Sequence, residues 1–164
     1  MKNYFELFQI EQKYYLDMVL LNQKYLAQQV KYHPDKANEE QKTQYKEISA
    51  TLNKAYGVLK DDFERAKYLL SLNGIILEQQ NLNLPSGELT YIWDQWELIN
   101  NTNDLKTLKN IQKQKIIVKQ ELKLKLCQAF TTSNFQDALD IMIKFKYLIS
   151  IINNIESKIR NAIT

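Results

Sequence analysis

Glycine and proline are scarce, with three glycines and two prolines in 164 residues. No Asp-Gly pair occurs, and the one Asn-Gly, Asn73-Gly74, follows a helical segment and reads as a helix stop. That excludes a fold organised by β-hairpins. A single cysteine, Cys127, excludes an internal disulfide and any cysteine-based metal cluster. No apolar run approaches the roughly 20 residues that span a bilayer. Met1-Lys2-Asn3-Tyr4-Phe5-Glu6 opens straight into structured-looking sequence, with no signal or transit peptide. The net charge of +3 comes from both signs spread along the chain, so the total does not point to a nucleic-acid binder. Leu, Ile, Lys, Gln, Asn and Glu dominate what remains. The expectation is an all-α, soluble, intracellular protein.

Asn3-Tyr4-Phe5-Glu6-Leu7-Phe8 predicts one or two helical turns that need something to pack on. A helix is expected from about Tyr14 to Tyr32, with Leu21, Tyr25 and Tyr32 on one face and Gln28 as a polar interruption. Lys24 and Lys31 project together beside that stripe, where solvated surface is the plain reading. Next comes Tyr32-His33-Pro34-Asp35-Lys36, holding the only histidine and one of the two prolines. Proline lacks the amide donor and restricts the residue before it, so the helix ends in a sharp corner carrying an imidazole and a carboxylate. Asn38-Glu39-Glu40-Gln41 suits a helix start, with Asn38 as cap and Gln41 reaching back. The stripe Tyr45, Ile48, Leu52, Ala55 and Leu59 then completes a helical hairpin, and a further helix runs over Phe63–Leu70.

Residues 75–87 read as a linker, ending in the breaker cluster Pro85-Ser86-Gly87. Helices are expected near 88–101, 104–131 and 134–163, which would form a three-helix bundle with short turns. Core stripes are Ile111, Val118, Leu122, Leu126 and Ala129 on the second, and Phe135, Leu139, Met142, Phe145, Ile149, Ile152 and Ile159 on the third.

The helix at 88–101 is more apolar than a bundle helix needs. Its arc from Leu98 and Tyr91 through Ile99, Ile92, Trp96 and Leu89 to Trp93 spans roughly 220°, against about 100° for a core-facing stripe. On the last helix Ile143, Tyr147 and Ile151 lie off the core stripe. Both surpluses are expected to face a partner, since exposed aromatic patches mark binding sites. Lys106, Lys109, Lys113, Lys115, Lys119, Lys123 and Lys125 are scattered round their helix without interleaved aromatics, which favours solvated surface over an RNA site. His33 and Asp35 have no nucleophile, glycine loop or metal-ligand set beside them, so no enzyme, no cofactor and no metal are expected.

Helix, His33-Pro34-Asp35 and then a helix closing on Asn53-Lys54-Ala55-Tyr56-Gly57-Val58-Leu59, followed by Arg65-Ala66-Lys67-Tyr68, resembles the J-domain of DnaJ-class co-chaperones over about residues 1–72. The opening Tyr4–Phe8, the Tyr68–Gly74 stretch and Tyr91-Ile92-Trp93-Asp94-Gln95-Trp96-Glu97-Leu98 extend the likeness to HscB-type co-chaperones of iron–sulfur cluster assembly. That resemblance implies a J-domain over 1–74, a linker over 75–87 and a scaffold-binding three-helix domain over 88–164. It implies that His33, Pro34 and Asp35 contact an HscA-like DnaK-class chaperone and stimulate its ATPase, with Lys24, Lys31 and Lys36 adding positive surface. It further implies that Ile92, Trp93, Trp96, Glu97 and Tyr147 hold an IscU-like scaffold. Two departures stand out: Leu26 and Ala27 occupy places often basic, and Asn100 and Asn101 stand where acids are usual. The absence of an N-terminal Cys-x-x-Cys module and of a transit peptide favours a bacterial cytoplasm over a processed mitochondrial form, and a monomer is expected. The rival reading is a general DnaJ-like co-chaperone whose C-terminal helices bind another client or dimerise.

Overall fold

The computed structural model describes residues 2–75, 77, 84 and 86–162. Among these the regular structure is helical, with no strand. The elements are α1 Tyr4–Phe8, α2 Met18–Lys31, α3 Lys42–Lys60, α4 Asp62–Leu72, α5 Ser86–Asn101, α6 Leu105–Thr131 and α7 Phe135–Asn161, with a single 3-10 turn at Pro34–Lys36. Residues 76, 78–83 and 85 of the expected linker lie outside the described residues, while Leu84 is buried. The chain divides into two compact units, Met1–Leu69 and Leu70–Thr164, the cut falling inside α4.

In the first unit α1 is only five residues long and is held by a capping box. The Glu6 N–H donates to Asn3 Oδ1 and the Asn3 N–H to Glu6 Oε2. It buries Phe5 and Phe8, and Tyr4 stacks on Tyr68 of α4 with centroids 4.4 Å apart. The expected helix start at Tyr14 is corrected to Met18. Asp17 stops the helix from extending backward, because its carboxylate accepts from the Val19 and Leu20 N–H groups. Tyr14 and Leu16 are buried all the same, packed as part of the connecting segment. On α3, Leu52, Ala55 and Leu59 are fully buried, while Tyr45 and Ile48 are half-buried. Asn38 does cap its turn, accepting from the Gln41 N–H at 2.9 Å, but α3 begins at Lys42 and Gln41 makes no capping bond.

A buried arginine ties this unit together. Arg65, 2% exposed, donates from Nε to the Tyr14 carbonyl at 2.7 Å and from a terminal nitrogen to the Leu59 carbonyl at 2.6 Å. Its other terminal nitrogen pairs with Asp62, and the guanidinium lies over the Tyr14 ring. One fork thus joins the segment before α2, the end of α3 and the start of α4.

In the second unit α6 and α7 form a long hairpin. It is closed by Ser133 in the left-handed region (φ 55°) and by the Asn134 N–H donating to the Ala129 carbonyl. Asp104 caps α6 and Asn134 caps α7. Helix α7 is packed by both α6 and α5, so it buries Met142, Ile143, Phe145, Leu148, Ile151, Ile152 and Ile155. This corrects the expected partner-facing surplus on α7. Ile143 and Ile151 are 7% and 2% exposed because the helix has neighbours on two sides, and only Tyr147 is half-exposed. The expected α6 stripe holds at Leu126 and Ala129, with Leu108 added. Val118, by contrast, is 40% exposed and belongs to the wall of a cleft.

Candidate partner-binding surfaces

The corner is built by what ends α2. The Tyr32 N–H still donates to the Gln28 carbonyl at 3.0 Å, after which the backbone turns through Pro34–Lys36, closed by the Lys36 N–H on the His33 carbonyl at 2.9 Å. Tyr32 packs edge-on against Tyr45 of α3, with the Lys31 ammonium over its ring. That ring contact ties the end of α2 to the first turn of α3 across the loop.

His33 and Asp35 both stand in solvent, at side-chain exposures of 54% and 87%. The Asp35 N–H donates to His33 Nδ1 at 3.3 Å, and the Asp35 carboxylate stands 3.5 Å from the same nitrogen. A solvated contact of that length orients the imidazole and adds little energy. Lys31 and Lys36 are exposed beside the loop. Lys24 is half-buried, about 10 Å back along α2 at 1.5 Å per residue. Among the described residues no group of three or more His, Cys, Asp and Glu is placed to hold a metal ion.

The rigidity of the hairpin comes from residues that sequence reasoning did not single out as functional. Tyr25 stacks on Tyr56 at 4.1 Å. Asn53 Oδ1 accepts from the Tyr25 hydroxyl at 2.9 Å and from Gln29 Nε2 at 2.7 Å, while Ser49 donates to Gln29 and the Tyr56 hydroxyl to Asn22. The signal was present in the Asn53-x-Ala55-Tyr56 stretch, whose polar members meet α2 while Ala55 fills the core.

In the second unit the apolar arc of α5 splits in two. Its centre packs inward: Ile99 is fully buried with Leu108, Ile151 and Ile155, and Ile92 and Trp96 lie against that cluster. Its edges stay in water, with Tyr91 and Leu98 (56% and 51% exposed) on one flank and Trp93 (74% exposed) on the other. Glu97, also exposed, follows Trp93 by one helical turn. The five expected scaffold residues therefore have different environments. Trp93 and Glu97 are presented, Ile92 and Trp96 support the helix from below, and Tyr147 stands half-buried on α7. Asn100 is exposed, its side-chain oxygen accepting from Asn154 and its carbonyl from Lys158.

On the Tyr91 flank a cleft of about 340 Å³ opens between α5 and α6, with Ile92, Val118, Leu122, Leu148 and Ile151 among its walls. Lys115 bridges it to Gln95 at 2.6 Å and Lys144 pairs with Glu88 at 3.2 Å.

No family model matches the chain. Individual proteins do. The Neisseria meningitidis co-chaperone HscB homolog is 30% identical over 164 residues, covering 96% of this chain and 99% of that protein. The chain belongs to the HscB co-chaperone family. The Vibrio cholerae HscB homolog is 41% identical over 101 residues, a match that spans 57% of its length. The solved structure of chaperone HscB from Vibrio cholerae superposes with a TM-score of 0.83 at 31% identity, over 94% of this chain and 96% of that one. HscB-type membership gives the all-α architecture and a co-chaperone role. Among the described residues no helix is long and apolar enough to cross a membrane.

Proposed function

We propose that this HscB-type protein is a two-site adaptor. The corner His33-Pro34-Asp35 engages an HscA-like DnaK-class chaperone and stimulates its ATPase, with Lys24, Lys31 and Lys36 contributing positive charge. Trp93 and Glu97, carried on the frame of Ile92 and Trp96 with Tyr147 from α7, hold an IscU-like iron–sulfur scaffold. The protein acts as a monomer in a bacterial cytoplasm and hydrolyses nothing itself. The observation that carries this reading is the exposed imidazole–carboxylate corner on a clamped hairpin, in a chain that also presents a tryptophan 74% exposed on a separate unit. Joining the two contacts raises the local concentration of scaffold at the chaperone, so each weak contact reinforces the other.

The test is chaperone ATPase measured with and without scaffold. The wild type should stimulate synergistically when the scaffold is present. His33→Gln should abolish stimulation while scaffold binding survives. Loss of both functions together, or of neither, refutes the division of labour. A wild type that stimulates the ATPase but captures no scaffold supports the rival, a general DnaJ-like co-chaperone.

A further inference from the structure

The outer side of α6 joins positive charge to apolar surface, and the packing of its unit uses neither. Helix α6 holds seven lysines and one acid, Glu121, so it carries +6 in a chain whose total is +3. Its core side, with Leu108, Leu126 and Ala129 buried, packs on α7. At about 100° per residue, Lys106, Lys109, Lys113, Ile116, Ile117 and Leu124 fall within a roughly 100° arc on the opposite side. Ile116, Ile117 and Leu124 are 41%, 52% and 69% exposed, and the three lysines stand in solvent before them. Glu121 falls outside the arc, so this face bears charge of one sign. From Lys106 to Leu124 it runs about 27 Å along the helix.

We infer that this face of α6 docks on the surface of an anionic phospholipid bilayer. The helix lies flat in the headgroup layer, with the lysine ammoniums on the phosphates and Ile117 and Leu124 reaching the acyl boundary. Charge complementarity requires an anionic occupant, and it excludes a second copy that would set this face against itself. The residue types choose among anionic partners. Protein interfaces are poor in lysine and centre on Trp, Tyr or Arg, none of which stands in the arc. Single-stranded nucleic acid is held by a basic groove with aromatic stacking platforms, whereas this face is a ridge whose apolar members are all aliphatic. A bilayer takes both parts at once, since long lysine stems let the charge stay at the phosphates while the aliphatic side chains leave water. This surface is separate from the corner and from the Trp93 edge of α5, so the inference stands apart from the adaptor reading.

The experiment is flotation of the full chain with vesicles of phosphatidylcholine alone or with about 30% phosphatidylglycerol, at about 50 and 500 mM salt. The chain should float with the anionic vesicles at low salt, at least tenfold less at high salt, and not with phosphatidylcholine alone. Lys109→Gln/Lys113→Gln should weaken that binding roughly twentyfold, at about fivefold per lysine near the surface. Ile117→Gln/Leu124→Gln, which keeps every charge, should weaken it roughly tenfold. Lys46→Gln/Lys54→Gln on α3 removes the same charge from exposed positions elsewhere and should change it less than about twofold. All three variants should melt with the wild type, because the replaced side chains face water. No flotation of the wild type with anionic vesicles overturns the inference. So does an α3 pair as damaging as the α6 lysine pair, which would make net charge alone responsible, or an aliphatic pair without effect, which would mean no insertion. Tighter binding to an RNA oligomer or to polyglutamate than to the anionic vesicles, lost in the α6 lysine variant, overturns it in favour of a nucleic acid or an acidic protein.

Discussion

Replacing Arg65 by alanine removes a buried side chain that joins three segments of the first unit. Its fork satisfies the carbonyls of Tyr14 and Leu59 and pairs with Asp62 at a site 2% exposed. Hydrogen bonds to charged groups contribute about 1.5–3 kcal/mol each, and a carbonyl left buried without a donor costs about 1–3 kcal/mol. These terms overlap, and breaking a buried ion pair from one side costs about 3–5 kcal/mol in all. A unit of this size, Met1–Leu69, has only about 3–10 kcal/mol to lose at roughly 0.05–0.15 kcal/mol per residue. Arg65→Ala should therefore leave the first unit marginal near 37 °C while the second stays folded. The assay follows from composition: both tryptophans, Trp93 and Trp96, sit on α5, so their fluorescence reports the second unit alone while circular dichroism reports both. Urea melts should show the helical signal splitting into an early and a late step, with fluorescence following the late one. Arg65→Lys should recover part of the loss, since an ammonium reaches one carbonyl but cannot span the fork. Asp62→Asn, which spares both carbonyl bonds, should cost about 1 kcal/mol. A destabilisation below about 1 kcal/mol for Arg65→Ala, or full rescue by lysine, would refute the reasoning.

The two tryptophans of α5 should separate binding from stability. Trp93→Ala should cost scaffold affinity and leave the urea midpoint unchanged, whereas Trp96→Ala should also lower stability by about 1–2 kcal/mol, less than the 3–5 kcal/mol of a fully buried tryptophan because Trp96 only borders the cluster. Equal stability losses from both would contradict the split of the arc. Tyr68 should give an alkaline signature: burial holds its phenol above the ordinary 10.0, outweighing the Tyr4 N–H that favours the ionised form. The neutral phenol is thus preferred in the folded state, so its contribution is intact below pH 10 and is lost as pH rises through the raised value. Tyr68→Phe should remove that alkaline loss while costing about 1 kcal/mol at neutral pH for the Tyr4 N–H left without its acceptor.

Much of the fold was legible in the sequence because the helices carry their own punctuation. The corner at Pro34, the stop at Asn73-Gly74 and the turns around Asn103 and Ser133 each end an element for a local reason. The misplaced start of α2 came from reading apolar residues as helix. Tyr14 and Leu16 are buried, but Asp17 begins the helix after them, and a carboxylate bonded to two amides outweighs a continuing stripe. Arg65 was invisible as a core residue, since only the fold brings the Tyr14 and Leu59 carbonyls to one guanidinium. The corner could be read as a surface feature from its rare residue types. What the sequence could not separate was supply from surplus on α5 and α7, because periodicity places residues on a face without saying how many neighbours that face has.

Neighbour number decides what those surpluses mean. Helix α7 is packed by two helices, and the arc that looked excessive on it is core: Ile143 and Ile151 fill the sides toward its partners. Helix α5 packs chiefly on α7, and both edges of its arc stay in water. Helix α2 packs on α3 and α1 from one side, and Val19, Leu26 and Val30 are left on the other. An exposed aliphatic or aromatic side chain contributes nothing to folding and raises the risk of aggregation, so a helix with a single packed side has no structural use for a second apolar stripe. Two such helices, one in each unit, carry one each. An apolar stripe on a peripheral helix is therefore the informative pattern in this chain, and the same stripe on a central helix is packing.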